Sequence, residues 1–322
     1  MGRFSGKARQ AKRQKLFAAI GLIGPSGSGK TLSALRLAYG MMKAKYPEAS
    51  EEELWKKIGL VDTEHERSLV YEGMKVDDLT IGSFIFIPFE PPYDPESYND
   101  AQKELKKLGC EVCIFDSASH GWEGEGGILE IQQMNGGRFQ DWKETNKDYR
   151  KFINVVTGTM NHIHTINTLR TKQEYQVNRS EVDNKLEVVK LGTKPVTRDS
   201  LEYELQIVFN IDMDHIAHTS KDNTLGMFKK PRTLTEADGE VIIKWLELGE
   251  DIYAEQEKER QQYIGLIRGM ETEVGEEITK LVQSLENHKA IQKPLEEFNL
   301  EWLEKTYGMV MQKAKEIETA KN

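Results

Sequence analysis

The sequence predicts an α/β fold, in which a mostly parallel sheet is flanked by helices and followed by a small helical appendage. Short apolar runs of strand length alternate with segments of helical length over residues 16–249. From Glu250 onward the composition changes to many charged residues and few β-branched runs. We therefore divide the chain into a basic N-terminal arm (residues 1–15), an α/β core (16–249) and a C-terminal helical region (250–322).

The individual elements follow from the same patterns. The first strand is predicted at residues 16–23, and a glycine-rich turn separates it from a helix at residues 33–45. In the C-terminal region, Ile278, Val282 and Leu285 recur at helical spacing. Further strands are predicted at 58–62, 84–89, 112–116, 163–167, 205–210 and 216–219, and further helices at 47–57, 97–108, 143–158, 241–248, 252–270, 275–288 and 300–319.

Composition argues against several classes of protein, among them disulfide scaffolds and membrane-spanning proteins. The chain has 322 residues and a formal net charge of −9, so any site for a polyanion must be local. Its two cysteines, Cys110 and Cys113, are too few for a disulfide scaffold and suit a reducing cytoplasm. No apolar run approaches the roughly 20 residues of a membrane span, and no apolar signal segment follows the basic arm. We expect a cytoplasmic protein without a membrane segment, whose basic arm either contacts nucleic acid or is solvated.

The turn after the first strand matches the pattern G-x-x-x-x-G-K-[ST] at every fixed position. Because a strand precedes it and a helix follows it, we interpret the turn as a P-loop, whose backbone N–H groups and helix N-terminus bind the phosphates of ATP. Lys30 is expected to reach the outer phosphates and to act in their transfer. The predicted nucleotide-binding residues of this segment are Gly24, Pro25, Ser26, Gly27, Ser28, Gly29, Lys30, Thr31 and Leu32.

Acidic residues follow two other predicted strands. Ligands of parallel sheets lie outside the carboxyl ends of the strands, so these acids are expected beside the P-loop. Thr31 and Asp116 are predicted to hold Mg²⁺ from opposite sides. Hydrolysis also needs a carboxylate near the terminal phosphate to orient or activate water. On spacing alone, either Glu64 or Glu66 can fill this role.

Residues 58–65 resemble the strand-end signature of RecA-type recombinases, in which D-x-E-H carries the catalytic glutamate. This resemblance implies a RecA-like P-loop NTPase core with Glu64 as the catalytic residue. Asp116 and the serine after it resemble the second acidic motif of that family. Residues 166–172 resemble the strand that leads into its second DNA-binding loop. Asn167 and Thr168 are therefore expected at the nucleotide, although that family usually has Gln at the position of Thr168.

A closer resemblance is to phage-encoded RecA-like ATPases, often described as phage nucleotide-binding proteins. It spans residues 20–248 and implies a Mg²⁺-dependent ATPase that acts on single-stranded DNA in phage-type recombination or replication. It also implies a homo-oligomeric ring or filament in the cytoplasm of a bacterial host cell, with a phage replication or recombination protein as a further partner. The motifs that carry it, in the same order as in that group, are residues 89–93, 116–127, 168–175, 198–199, 202–204 and 220–222.

The resemblance further implies that ATP lies between subunits and that a basic residue of the neighbour stabilises the transferring phosphate. Lys221 is the candidate for this catalytic role. Related proteins often have a second basic residue two positions later, where this chain has Asn223. Either Lys221 acts alone or Lys229, Lys230 or Arg232 replaces it, and the alternative is an ordinary surface lysine.

Two segments are candidates for contact with single-stranded DNA, which binds to cations and aromatic faces. The first is a glycine-rich loop at residues 120–142, and the second is a long loop at residues 170–198. In both segments the alternative is that the aromatic side chains pack on the core or on another subunit. The predicted nucleic-acid-binding residues are Arg138, Arg170, Lys172, Tyr175 and Arg198.

Two apparent metal motifs are interpreted as structural. Cys110 and Cys113 have C-x-x-C spacing, but the chain contains no second cysteine pair. His162 and His164 share a strand face, but a third ligand is not evident from the sequence. Core packing explains both pairs better than metal binding does.

Two functions other than a DNA-dependent ATPase also fit the sequence. One is a nucleotide-gated binding module that recruits a replication or recombination partner, and the other is a ring-shaped motor of helicase type. Thr168 and Asn223, which depart from the family pattern, favour the binding module.

Overall fold

The computed structural model of the chain describes residues 10–179, 186–198, 200–289 and 291–321. It describes the side chains of these residues except at 173–179, 186–193, 320 and 321. The chain divides into two compact units, Leu16–Leu248 and Gly249–Asn322, and the residues up to Lys15 belong to the second unit. Residues 1–9 of the expected basic arm and residues 180–185 of the second expected DNA-binding segment lie outside the described residues.

The strands of the larger unit are mostly short and apolar. Most belong to one sheet, and two short strands pair separately. The strands are β1 (Ala19–Gly24), β2 (Ile58–Asp62), β3 (Lys75–Val76), β4 (Leu79–Thr80), β5 (Ile85–Pro88), β6 (Val112–Asp116), β7 (His164–Arg179), β8 (Leu186–Pro195), β9 (Ile207–Ile211) and β10 (Ala217–Asp222).

Within the described residues, the main sheet has eight strands in the order β10-β9-β1-β7-β6-β2-β5, with β8 paired to β7. The strands from β9 to β5 in this order are parallel, whereas β10 is antiparallel to β9. The strand that leads into the P-loop, β1, therefore lies between β9 and β7. The carboxyl ends of β1, β2 and β6 meet the end of the parallel part of β7 at the same edge of the sheet, which is where the site lies.

Helices cover both faces of this sheet and form the C-terminal unit. They are α1 (Lys30–Lys45), α2 (Glu51–Lys56), α3 (Pro95–Lys107), α4 (His120–Glu123), α5 (Ile128–Met134), α6 (Trp142–Val156), α7 (Leu201–Glu204), α8 (Glu236–Leu246), α9 (Ile252–Val274), α10 (Glu276–Glu286) and α11 (Leu300–Lys321). Among the described residues, none of these helices combines the length and apolar character that crossing a membrane requires.

The inner strands β1, β2 and β6 are buried along their whole length because their residues are mostly apolar. In β1, Ile20 and Leu22 pack on the face that α1 and α8 cover. Ile23 points to the opposite face and joins the cluster that contains Phe152 of α6. These packed layers confirm the predicted α/β class with C-terminal helices, and they hold the strand ends in fixed positions.

The two segments expected to be DNA-binding loops are not loops. Residues 120–142 contain α4, α5 and a short 3₁₀ helix, since Gly127 caps the start of α5 and the glycines separate short helices. Residues 170–198 contain β8 and the second half of β7, which pair antiparallel from Thr171 with Pro195 to Arg179 with Leu186. β-Branched residues in these strands favour extended backbone, so this segment is a hairpin.

The C-terminal unit has a hydrophobic core of its own. Ile267 of α9, Val282 of α10 and Val310 of α11 are buried in it. Gly275 lies between α9 and α10 at φ +100°, a backbone conformation that other residues rarely adopt. In the same unit Lys12 and Lys15 form ion pairs with Glu250 and Asp251, at 3.1 and 2.8 Å.

Candidate functional site

The P-loop connects β1 to α1 and follows the path that its glycines permit. Gly29 has φ +86° immediately before α1 begins. A Cβ atom on Gly24 would lie 2.4 Å from the carbonyl oxygen of Ile211, so a larger residue would displace the loop from β9. The N-terminus of α1 therefore opens at the edge of the sheet, where its N–H groups favour an anion.

Lys30 is folded back onto the loop. Its Nζ donates hydrogen bonds to the carbonyl oxygens of Gly24 at 2.9 Å and Pro25 at 2.8 Å. Burial lowers the pKa of the Lys30 ammonium, and the carboxylates of Asp116 and Glu64 oppose this effect. The Lys30 ammonium thus lies near Asp116 and Glu64, the two carboxylates that the sequence predicted beside the phosphates.

Thr31 and Asp116 are in direct contact. The hydroxyl of Thr31 donates to Oδ2 of Asp116 at 2.6 Å, and the hydroxyl of Thr168 donates to Oδ1 at 2.5 Å. Burial raises the pKa of the Asp116 carboxyl, although both hydrogen bonds oppose this. A hydroxyl beside a buried carboxylate is a suitable donor set for Mg²⁺, which prefers oxygen ligands.

The turn after β2 places Glu64 toward the P-loop. Asp62 shapes this turn, because its carboxylate accepts hydrogen bonds from the backbone N–H of Glu64 at 2.6 Å and from the N–H of Ser68 at 3.2 Å. Glu64 lines the same cleft as Lys30, whereas Glu66 is exposed and is not among the residues that line it. The geometry therefore favours Glu64 over Glu66 as the carboxylate near the phosphates.

Arg170 differs from the expectation that it contacts DNA. It lies at the carboxyl end of the parallel part of β7, and its side chain enters the cleft. Its Nε and Nη2 donate to the two carboxylate oxygens of Glu64 at 2.6 and 2.5 Å. Burial raises the pKa of Glu64, but Arg170, with smaller contributions from His120 and Lys30, holds that pKa below its usual value.

The cleft has a volume of about 810 Å³. Among its lining residues, Arg36 was not expected from the sequence; it pairs with Asp77 and with Glu236 at 2.9 Å each. His215 also was not expected; its Nδ1 lies 3.0 Å from the carbonyl oxygen of Ser28. His215 comes four residues after β9, at the same sheet edge as the P-loop. Its place after a strand end is the feature of the sequence that indicates a residue of the site. Arg36 lies inside α1, where the sequence offers no such signal.

Asn167 is not part of the cleft. Its side chain is fully buried, and its Nδ2 donates to the carbonyl oxygens of Ile20 at 3.2 Å and Val156 at 2.9 Å. Neighbouring residues of a strand point to opposite faces, so Asn167 holds the sheet together while Thr168 contacts Asp116. The expectation that Asn167 binds the nucleotide is therefore corrected to a structural role.

Lys221 lies outside the cleft lining in its own chain. Its Nζ donates to the carbonyl oxygen of Glu202 at 3.1 Å and to that of Tyr203 at 2.5 Å, at the end of α7. Of the alternatives, Arg232 forms an ion pair with Asp238 at 3.1 Å, and Lys229 and Lys230 are exposed. A role of Lys221 at the phosphates therefore requires another subunit.

The other expected DNA contacts fall into two groups. Arg138 and Lys172 are exposed, and Arg138 pairs with Asp141 at 3.0 Å. Arg198 is engaged within the chain: its guanidinium lies 5.1 Å from the ring of Trp142, and its Nη1 donates to Asn146 at 2.9 Å. Tyr175 belongs to β7, but its side chain lies outside the described part of the chain.

Both cysteines and His164 are part of the packing, whereas His162 is exposed and precedes β7, so the two histidines do not share a strand face. Cys110 and Cys113 are buried and free, and burial raises the pKa of each thiol, to about 11 for Cys110. Nδ1 of His164 accepts a hydrogen bond from the backbone N–H of Ala18 at 2.9 Å. Within the described residues, no group of three His, Cys, Asp or Glu side chains is placed to hold a metal ion.

A parallel sheet whose inner strand leads into a P-loop, beside a buried carboxylate on a nearby strand, defines the class of P-loop ATPases. A family model described as an AAA domain matches residues 17–237, and the chain belongs to this family. The match includes every residue that lines the cleft. A search of curated proteins returned no match. Family membership supports a nucleotide-dependent ATPase.

Proposed function

We propose that the chain hydrolyses ATP in this cleft and that Glu64 orients the attacking water. The observation that carries the proposal is the register of two adjacent strands: Asp62 of β2 is paired with Asp116 of β6. This register brings the residues that follow β2 beside the end of β6, and both Glu64 and Asp116 line the cleft with Lys30. A carboxylate near water and a cation near the phosphates are the groups that hydrolysis needs.

The residues of the P-loop bind and orient the triphosphate. The N–H groups at the start of α1 face the anion, and Lys30 exchanges its loop carbonyl partners for phosphate oxygens. Holding the phosphate chain in this way fixes the terminal phosphorus relative to the water that Glu64 holds. Most of the catalytic effect in such a site is positioning and electrostatic stabilisation.

Thr31 and Asp116 fit Mg²⁺ and would hold it. Burial raises the pKa of the Asp116 carboxyl because it disfavours the ionised form, and a divalent cation would supply the balancing charge that this form lacks. When bound, Mg²⁺ neutralises charge on the phosphates. Thr168, whose hydroxyl also binds Asp116, orients that carboxylate from the second side.

The central experiment measures phosphate release from Mg²⁺·ATP by the full chain and by the variant Lys30→Ala. We expect the variant to lose at least about 100-fold in kcat/KM, because the cation that stabilises the transferring charge is removed. Lys43→Ala, on an exposed face of the same helix, is the matched control and should keep the wild-type rate. Equal rates of phosphate release by Lys30→Ala and by the wild-type chain would refute the proposal.

We further propose a RecA-like role in which the protein acts on single-stranded DNA in phage-type recombination or replication. Two features support this role besides the resemblance of the motifs. Residues 170–198 carry seven basic and four acidic residues in a chain of net charge −9. At the base of the hairpin, Lys172 of β7 is directly opposite Lys194 of β8. Two cations opposite each other concentrate positive charge at this place, which attracts a phosphate backbone.

Addition of single-stranded DNA to the same ATPase assay separates this role from its alternatives. Strong stimulation supports a DNA-dependent ATPase. Indifference to DNA supports the nucleotide-gated binding module, which the pairing of Glu64 with Arg170 also favours because that pair holds the carboxylate away from water. ATP-driven separation of duplex strands would support the ring motor of helicase type.

The same proposal includes assembly and location. A homo-oligomeric ring or filament would bring Lys221 of one subunit to the cleft of the next. A phage replication or recombination protein is the proposed further partner, and the cytoplasm of a bacterial host cell is the proposed location, for a protein encoded by a phage or prophage. Light scattering with and without Mg²⁺·ATP tests the assembly.

A further inference from the structure

Both oxygens of the proposed catalytic carboxylate are occupied by one guanidinium. Arg170 reaches Glu64 through two parallel hydrogen bonds of 2.6 and 2.5 Å. This bidentate geometry is the strongest that an arginine and a carboxylate form. The side chain of Glu64 is only 17% exposed, so little water competes with the pair. In this state each Glu64 oxygen already accepts a hydrogen bond from the guanidinium, and the ion pair makes the carboxylate a weaker base toward an attacking water.

Arg170 also lies within the cleft that the triphosphate would fill. In the sheet it is paired with Gly24, the first residue of the P-loop, and its charge contributes to the lowered pKa of Lys30. The P-loop binds the inner phosphates, and Lys30 reaches the outer ones. The terminal phosphate of a triphosphate therefore extends toward the strand ends, where it competes with Glu64 for the guanidinium. A diphosphate lacks the group that competes.

We propose that Arg170 is a positioning residue that exchanges partners: it holds Glu64 until a triphosphate binds, then turns to the terminal phosphate and releases Glu64 to water. This inference rests on the proposed ATP hydrolysis. It gives the site a reason to act on a triphosphate and to stay inactive with a diphosphate. Release also makes Glu64 more basic, since the contact with Arg170 is a cause of the lowered pKa of its carboxyl.

The backbone around Arg170 is fixed, so the exchange is a movement of the side chain. The N–H of Arg170 donates to Oγ of Ser119 at 3.0 Å, and its carbonyl oxygen accepts from the N–H of Val196 at 2.7 Å. The side chain is 41% exposed and lines the cleft. A long side chain on a fixed backbone can turn between two anions without disturbing the sheet.

The first test is structural. Crystal structures of the full chain with Mg²⁺·ADP and with the Mg²⁺ complex of the β,γ-imido analogue of ATP should differ at this pair. We expect Arg170 to contact Glu64 in the ADP complex and the terminal phosphate in the analogue complex. An intact Arg170–Glu64 pair beside the bound analogue would overturn the exchange.

The second test measures affinity for the same two nucleotides by calorimetry in Arg170→Gln. We expect the affinity for the analogue to fall about ten- to a hundredfold, the range of a charge-assisted hydrogen bond, with the affinity for ADP changed less than about twofold. Arg67→Gln, which alters another arginine that lines the cleft, is the control and should change both affinities alike. An unchanged ratio of the two affinities in Arg170→Gln would also overturn the inference.

Folding and the underlying function are controlled separately. Arg170→Lys keeps the charge but cannot bind both oxygens, so it should recover part of the lost preference for the analogue. If Arg170→Gln does not fold, as judged by circular dichroism, Arg170→Lys carries the test, with a smaller loss of preference expected. A wild-type chain that binds neither nucleotide would refute the proposed function, whereas a chain that hydrolyses ATP without the change in preference refutes only the role of Arg170.

Discussion

Glu64 and Glu66 differ by two positions in sequence, but only Glu64 faces Lys30 across the cleft. We predict that Glu64→Gln lowers kcat by about 10²–10⁴-fold, because an amide cannot accept the proton of the attacking water. The amide keeps the size of the side chain, so ATP binding should persist. Phosphate release and binding of a fluorescent ATP analogue measure the two effects.

The matched control for this variant is Glu66→Gln. It makes the same chemical change at an exposed residue outside the cleft lining, so its kcat should stay within about twofold of the wild type. The two variants together decide the alternative that spacing left open. Normal turnover by Glu64→Gln, or a large loss in Glu66→Gln, would show that the catalytic assignment is wrong.

The buried position of the Asp116 carboxylate lowers the stability of the folded chain. Burial raises its pKa in the folded chain above the usual value, so the ionised form is less favourable in the folded than in the unfolded state. The resulting loss of stability is complete at a pH above the pKa of Asp116 in the folded chain. It disappears as the pH falls from that pKa toward the pKa of Asp116 in the unfolded chain. We predict that Asp116→Asn raises Tm at neutral pH by roughly 2–4 °C, the effect of about 1 kcal/mol in a domain of this size.

The same variant should lose Mg²⁺-dependent hydrolysis, because a neutral amide is a weaker ligand for the ion. Calorimetric scans without nucleotide, at neutral pH and near pH 4, measure the stability. The gain in Tm over the wild type should be smaller at the lower pH. A lower Tm at neutral pH would contradict the sign of the argument.

At the scale of elements, β7 has two functions that meet at Arg170. Up to this residue β7 is parallel to β1, and from Thr171 it pairs with β8 in the hairpin. Lys172 stands two residues beyond Arg170, and its side chain is exposed. The element therefore connects the proposed DNA contact to the proposed nucleotide site through a single continuous backbone.

We predict that Lys172→Gln weakens binding of a single-stranded oligonucleotide and lowers the slope of log K against log salt by about 0.7, the effect of one lost phosphate contact. Fluorescence anisotropy at several salt concentrations measures both quantities. Lys103→Gln removes an exposed lysine of α3 and should leave the slope unchanged. An unchanged slope for Lys172→Gln would remove this residue from the proposed DNA contact.

Most elements were predictable because local pattern and burial agree in them. β2 and β6 have the bounds that their apolar runs predicted, and α1 begins three residues earlier than predicted, at Lys30. The hairpin was not predicted, since charged residues interrupt its alternation and an antiparallel pairing is a long-range property. The helices within residues 120–142 were missed because glycines surround them.

The site was predictable to the extent that topology fixes it. Parallel strands place their carboxyl ends together, so the meeting of Lys30, Thr31 and Asp116 with a carboxylate after β2 follows from strand ends, whereas the choice of Glu64 over Glu66 followed from the resemblance. The partner of Glu64 does not follow, because Arg170 reaches it through a side-chain conformation. Nor does the inward orientation of Asn167, whose hydrogen bonds to Ile20 and Val156 depend on which face of β7 it occupies.

At the scale of the whole molecule, the larger unit contains every residue that lines the cleft, and the C-terminal unit has a separate core. The catalytic parts that the resemblance implies are nevertheless incomplete within one chain. Lys221 binds the end of α7 rather than the cleft. If Lys221 is catalytic, the active unit must be an oligomer in which the lysine of one subunit completes the cleft of another.

This requirement predicts complementation between two inactive variants. Lys221→Ala lacks the cation but has Glu64, and Glu64→Gln lacks the carboxylate but has Lys221. In a random mixture about one interface in four combines an intact cleft with an intact lysine, so an equal mixture should regain up to about a quarter of the wild-type ATPase rate. Phosphate release from the mixture and from each variant alone measures the effect. A mixture that stays as inactive as its components would contradict the role of Lys221 in a neighbouring cleft. So would normal turnover by Lys221→Ala alone together with a loss in Lys229→Ala or Lys230→Ala. In either case Lys221 serves only to cap α7 and another residue supplies the cation.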